Sequence, residues 1–248
     1  HVEINNTKLW EKDKVIGNAL VDMYGKCGLP AKAQDVFEGL PSRDVVSWSA
    51  LMDGYAQMGE AGKVIEIFNK MMVEDVMPDV VTFLVLLIAC NHAGRLEEGL
   101  MVFYDMHSSY SVAPALQHYT CMVNLLGRAG HFSMALAVIE KVSLSHQLQL
   151  LLTLLGTCCN DANVDLAWWA FEQLLQLDVK CASAYVCMGN IYAAAGMVTE
   201  AKKMKVWSAK KKTASKMPHS SWTDANGNLH LFTSGTSNHP QNALMYAK

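Results

Sequence analysis

An all-α, right-handed solenoid of helix-turn-helix repeats, with a short C-terminal extension that could form a β-hairpin, is the fold class predicted by three observations. The stretch VVSWSALMDGYAQMG, Val45 to Gly59, returns 35 residues later as VVTFLVLLIACNHAG, Val80 to Gly94. Both copies keep a hydroxyl after two valines (Ser47, Thr82), then an aromatic (Trp48, Phe83), and end on glycine. Gly28, Gly59, Gly94, Gly130 and Gly196 fit one template, with Ala162 in the single gap, at spacings of 31, 35, 36, 32 and 34 residues. Periods of this size mark repeat arrays. Finally, each period holds two apolar runs at helical spacing, so each unit is a helix pair whose apolar face only its neighbours can bury.

In residues 14–44, Asn18 to Gly28 make a first helix, and Ala33, Phe37 and Leu40 are the buried stripe of a second. Val45 to Asp79 places Val45, Trp48, Leu51, Met52 and Tyr55 on one helix and Val64, Ile67, Phe68 and Met71 on the next, with Pro78 closing the unit. Residues 80–115 repeat the scheme. In residues 116–147 the first helix is His118 to Gly130, and Ala135, Ile139 and Val142 mark the second. Tyr185 to Gly196 repeats the first helix once more.

Composition narrows the class of function. The chain has 248 residues, 51% hydrophobic and 17% charged, with net charge -3. Its richest apolar run, Phe83 to Cys90, is too short to span a membrane and reads as a buried helix. Seven cysteines, an odd number without a CxxC pair, argue against a disulfide framework; the adjacent Cys158 and Cys159 read as ordinary helix residues. The chain starts at His1 without an initiator methionine, so a targeting peptide could have preceded it.

Two helical repeats of this length compete. A tetratricopeptide repeat wants glycine four residues after its aromatic, where Val45–Asp79 has Met52. The ending VMPD and the opening VVSW instead resemble a pentatricopeptide repeat. NALVDMYGKCG, DVFEGLPSRD, ACNHAGRLEEGL and HYTCMVNLLGRAG are similar to signatures of the plant PLS subclass. On that resemblance 1–13 is a partial L unit, followed by S (14–44), P (45–79), L (80–115) and S (116–147) units. Residues 148–215 resemble the subclass's paired E-type repeats, YVCMGNIYAAAG most clearly, with Tyr185, Met188, Gly189, Tyr192 and Ala201 at tetratricopeptide-like positions. KMPHSSWTDANGNLHLFTSGTSNHPQNALMY looks like the start of a DYW-type extension. Three positions depart from the pattern: His219 replaces a usual glycine, Leu152 replaces another, and Leu144–Gln147 lacks the usual proline and final aspartate.

The resemblance implies an organellar RNA editing factor, mitochondrial or chloroplastic, binding single-stranded RNA with no cofactor. It also implies that the fifth and last residues of each unit read one base: Asn18 with Asp44, Ser49 with Asp79, Leu84 with Ala115, Thr120 with Gln147. The chemistry agrees. An ionised aspartate only accepts hydrogen bonds, so Asp44 and Asp79 favour uracil and guanine, whose Watson–Crick edges carry a ring N–H. The Asn18 amide takes up room and suits the pyrimidine, while the Ser49 hydroxyl leaves space for the purine. Leu84 with Ala115 offers nothing polar and predicts a spacer; Thr120 with Gln147 predicts a weak purine preference. Taken singly, Asp44 and Asp79 also read as helix caps.

Charge sets limits on binding. Lys202, Lys203, Lys205, Lys210, Lys211, Lys212 and Lys216 fall within fifteen positions containing no acid, which leaves 13 basic against 23 acidic residues elsewhere. An array that acidic cannot rely on phosphate attraction, so base contacts should lead, with the lysine cluster, Lys202 to Lys212, as the expected RNA-backbone contact. Trp168, Trp169 and Trp207 are the expected anchors for a protein partner, a DYW-type deaminase or another editing factor. A nucleobase deaminase needs H-x-E and a later P-C-x-x-C. HVE opens the chain, but P-C-x-x-C does not occur, and His230 and His239 lack ligand partners at suitable spacing. The expectation is a guide that binds RNA without deaminating it, catalysis coming from a further domain or a partner. The rival is a tetratricopeptide-like scaffold with no RNA role, which has no reason to keep polar pairs in register.

Overall fold

The computed structural model describes Trp10 and residues 13–161, 164–178, 181–215, 220–225 and 228–233. Among them are twelve helices in six pairs. These are α1 (Lys14–Lys26) with α2 (Pro30–Glu38), α3 (Val45–Gln57) with α4 (Ala61–Val73), and α5 (Val80–Ala93) with α6 (Leu96–Ser108). They continue as α7 (Leu116–Arg128) with α8 (Phe132–Glu140), α9 (Leu144–Asp161) with α10 (Val164–Leu177), and α11 (Ala182–Ala194) with α12 (Val198–Ser215). Two strands, β1 (Ser220–Ala225) and β2 (Asn228–Thr233), pair antiparallel from Ser220 opposite Thr233 to Ala225 opposite Asn228. No helix among the described residues is long and apolar enough to cross a membrane.

The recurring glycines end the first helices. Gly28, Gly59, Gly94, Gly130 and Gly196 have φ between +67° and +76°, the left-handed region open to glycine. Just after each, Leu29, Glu60, Arg95, His131 and Met197 donate their backbone N–H to a carbonyl five residues back, closing the same cap five times. Asp13, Asp44 and Asp79 cap the starts of α1, α3 and α5.

First helices pack in an unbroken row, α1 on α3, α3 on α5, and so on to α11. Each second helix lies against the first helix of its own unit and of the next, and no two second helices pack together in this way. The array therefore curves with the first helices on the inner side. The predicted stripes are its core: Trp48, Leu51, Met52, Val64, Ile67 and Met71 are buried, as are Tyr185, Met188, Tyr192 and Ala201. The solenoid predicted from the period is the observed fold.

Within the row, α1 and α3 meet backbone to backbone at two glycines. A Cβ on Gly54 would meet the Gly25 Cα at 2.8 Å, and one on Gly25 would meet the Gly54 Cα at 2.9 Å. Backbone cannot move aside as a side chain can, so Gly54→Ala should force α1 from α3. The expected loss is about 1–3 kcal/mol by overpacking, exceeding the ~1 kcal/mol that alanine adds in helix propensity. A urea unfolding midpoint equal to or above the parent's would rule this out.

One boundary differs from expectation. Residues 144–147, assigned to the end of the S unit, form the first turn of α9, with the His146 and Gln147 N–H groups donating to the Ser143 carbonyl. Without the proline and aspartate that stop the earlier units, helix starts as soon as Ser143 allows it.

Candidate nucleic-acid interface

At the first pair, three side chains from two units meet. Asp44 Oδ1 accepts from the Ser47 N–H (3.0 Å), the Ser47 hydroxyl (3.0 Å) and Asn18 Nδ2 (3.4 Å). The Ser47 hydroxyl also lies 2.7 Å from Asn18 Oδ1. Asp44 Oδ2 pairs instead with Lys14 Nζ at 2.7 Å. Burial works to raise the Asp44 carboxyl, but hydrogen bonds from Lys14 and Ser47 outweigh it and hold the pKa down to about 2. Asp44 is thus a cap and an ion at once: one oxygen closes α3, and the other pairs with Lys14.

The second pair repeats this with one change. Asp79 Oδ1 accepts from the N–H groups of Val81 (3.0 Å) and Thr82 (2.9 Å) and from the Thr82 hydroxyl (3.0 Å). The Thr82 hydroxyl also lies 3.0 Å from the Ser49 hydroxyl. Fifth and last residues are therefore joined through the third residue of the following unit, Ser47 or Thr82. Asp79 Oδ2 has no hydrogen-bond partner among the described residues. The sequence carried the signal for these bridges in the hydroxyl that recurs after two valines, but not their role.

The next two pairs lack the arrangement. Ala115 has no side-chain acceptor, and the His118 ring takes the third position: its Nδ1 accepts the Ala115 N–H (3.1 Å), so Nε2 carries the proton and donates to the Val80 carbonyl (2.9 Å). Leu84 itself has no polar atom on its side chain to offer a base. Thr120 turns its hydroxyl back to the Leu116 carbonyl (2.9 Å), and Gln147, inside α9, donates to the Val142 carbonyl (3.1 Å). Leu150 holds the place of the bridging hydroxyl and is fully buried. Among the described residues no hydrogen bond joins Thr120 and Gln147.

A groove of about 540 Å³ runs along α1, α3 and α5, lined among others by Asn18, Ser49, Asp79 and Leu84. Val46 and Val81, both exposed, add apolar walls between these polar groups. Asp22 and Asp53 also line it, so its charge opposes phosphate and suits the flat, uncharged rings of bases.

Elsewhere, Trp168, Trp169 and Trp207 are 39%, 40% and 46% exposed, so none is enclosed in the core. The Trp168 indole N–H donates to Glu172 (2.9 Å), and Trp207 meets Tyr185 edge-on at 6.2 Å between ring centres. On α12 the buried face is Ala201, Met204 and Ser208, which leaves Lys202, Lys203 and Lys205 exposed. The side chains of Lys210, Lys211, Lys212 and His230 lie outside the described residues, as do His1, Val2, Glu3, Ala162, Lys216 and His239. Cys158 is fully buried, and burial pushes the thiols of Cys90 and Cys121 up to about 11. No group of three His, Cys, Asp or Glu side chains among the described residues could hold a metal ion.

The chain matches the PPR repeat family model over residues 43–92, the PPR repeat over 18–45, 81–110 and 117–143, and the E motif over 161–224. It is 39% identical over 237 residues to a mitochondrial pentatricopeptide repeat-containing protein of Arabidopsis thaliana, covering 95% of this chain and 36% of that protein. A chloroplastic relative from the same plant is 35% identical over 230 residues, covering 92% of this chain and 26% of the relative. The chain thus spans well under half the length of either relative. The crystal structure of the pentatricopeptide repeat protein PPR10 from maize superposes with a TM-score of 0.66 at 20% identity, over 82% of this chain and 30% of that one. PPR10 in complex with an 18-nt psaJ RNA element gives 0.54 at 21% identity, over 81% and 28%. The repeated helix pairs, the family matches and these relatives agree: the chain belongs to the plant pentatricopeptide repeat family, as a PLS-type member with an E motif.

Proposed function

We propose that the chain is the RNA-reading part of an organellar editing factor, which selects a cytidine for conversion to uridine in mitochondrial or chloroplast transcripts. The carrying observation is the groove along α1, α3 and α5, where the fifth residues of three units align and Asp79 keeps one oxygen open. Asn18 with Asp44 reads uracil, Ser49 with Asp79 reads guanine, and Leu84 with Ala115 is a spacer. Thr120 with Gln147 contributes at most a weak purine preference, since the Thr120 hydroxyl is turned onto its own helix and the Gln147 amide onto the Val142 carbonyl ahead of α9. Lys202, Lys203 and Lys205, with Lys210, Lys211 and Lys212, hold RNA phosphates. Trp168, Trp169 and Trp207 hold the deaminase or another editing factor against the E-type repeats, and the deamination itself is done outside these 248 residues. PPR10, the structural neighbour, was crystallised on RNA, and the relatives named above are organellar, which supports the same reading.

Selection of bound RNA from a random pool is the test. Enrichment of a short motif containing adjacent U and G, with the U position moving toward G in Asn18→Ser, is the expected outcome. A pool left without enrichment would favour a protein-binding scaffold.

A further inference from the structure

We infer that Lys14 is a third specificity-determining residue of the first base site, donating to a carbonyl oxygen of a uracil whose ring N–H is accepted by Asp44. This rests on the RNA-reading function proposed above. Asp44 Oδ1 already accepts from the Ser47 N–H and from Asn18 Nδ2, and the Ser47 hydroxyl sits against it at 3.0 Å with its single proton divided between Asp44 Oδ1 and Asn18 Oδ1. A base is therefore best met by Oδ2, and among the described residues the group paired with Oδ2 is the Lys14 ammonium at 2.7 Å. That ammonium has three N–H bonds, of which Asp44 takes one. The pair is not sealed: the Lys14 and Asp44 side chains are 42% and 35% exposed.

The donor pattern selects the base. Asn18 lies four residues after Lys14 on the same face of α1, so the site offers in a row the Asn18 amide N–H, the Asp44 oxygen and the Lys14 ammonium. This sequence of donor, acceptor, donor complements the uracil edge, where N3–H stands between two carbonyls. Guanine matches the first two groups but turns its 2-amino group against a donor. Cytosine and adenine present a ring nitrogen acceptor where an N–H is needed.

The position of Lys14 is otherwise unfavourable. As the first residue of α1 it places a cation at the positive end of the helix dipole. Its tie to Asp44 offsets that cost and holds the ammonium at the site. In residues 45–79 the equivalent place belongs to Val45, half-buried beside the groove, and Asp79 Oδ2 has no neighbouring cation. The two sites share a bridged aspartate and differ in this donor.

The test uses the whole chain and oligoribonucleotides of the sequence enriched from the random pool. At the nucleotide whose preference changes in Asn18→Ser, each oligonucleotide carries U, 2-thiouridine, 4-thiouridine, G, C or A. The parent should prefer U over G by about tenfold, and each of the two sulfur substitutions should weaken binding by about three- to tenfold, since each carbonyl meets a donor and sulfur accepts poorly. In Lys14→Met the preference for U over G and the effect of one of the two sulfur substitutions should vanish, while the preference for G at the neighbouring nucleotide stays. Lys14→Arg, which keeps N–H donors, should retain both. If Lys14→Met weakens all four bases equally, or changes nothing, the assignment of Lys14 is overturned and the RNA-reading function stands. If the parent chain shows no base preference at any nucleotide, that function falls and Lys14 with it.

Discussion

Asp79→Asn is expected to move the base chosen by residues 45–79 from guanine to adenine. Asp79 Oδ1 is committed to the Val81 and Thr82 N–H groups and the Thr82 hydroxyl. An asparagine must keep its carbonyl oxygen toward those donors, since a flipped amide would set N–H against N–H. Asparagine caps helices about as well as aspartate, so α5 should start as before. The other end of the side chain changes from acceptor to donor. Guanine offers N1–H there, whereas adenine offers a bare N1, and the space beside Ser49 still admits a purine. A base contact of this kind discriminates by about 1–3 kcal/mol, or roughly 5- to 150-fold in the ratio of affinities. Fluorescence anisotropy with four oligoribonucleotides differing at that nucleotide reads the ratio directly. A preference for G that survives the substitution would mean that Asp79 only caps the helix.

Phe83→Ala should have the largest effect on stability. The Phe83 ring is 1% exposed and lies 6.3 Å from the Phe68 ring on α4 and 5.2 Å from the Tyr110 ring beyond α6, so it joins two units. Removing a fully buried phenylalanine costs about 3–5 kcal/mol. In a solenoid each unit touches only its neighbours, so the loss stays local and weakens the coupling between the two ends of the array. Hydrogen exchange should speed up in α3 to α6 and change little in α11. An unfolding curve that shifts by less than about 1 kcal/mol, or uniform exchange changes along the chain, would contradict this picture.

The sequence by itself determined the repeat, because its causes are local. A glycine every 31 to 36 residues ends a helix wherever φ must be positive, and apolar spacing within a unit sets which faces are buried. The paired positions were legible for the same reason: Asn18, Asp44, Ser49 and Asp79 recur at fixed offsets from those helix starts. What the tertiary structure decided is the use of each polar atom. Whether an aspartate oxygen is free depends on hydroxyls and ammonium groups brought in from another helix, as Ser47 reaches Asn18 across 29 residues and Lys14 reaches Asp44 across the whole unit. Thr120 looked equivalent to Ser49 in sequence, yet Ser49 meets Thr82 of the next unit, while Thr120 finds Leu150 at that place and turns back on its own helix. The same holds for Gln147: its offset marked it as a unit's last residue, but it lies inside a helix that starts at Leu144 and donates its amide to the Val142 carbonyl. A periodic pattern constrains position along the chain, and only packing between units determines which donor meets which acceptor.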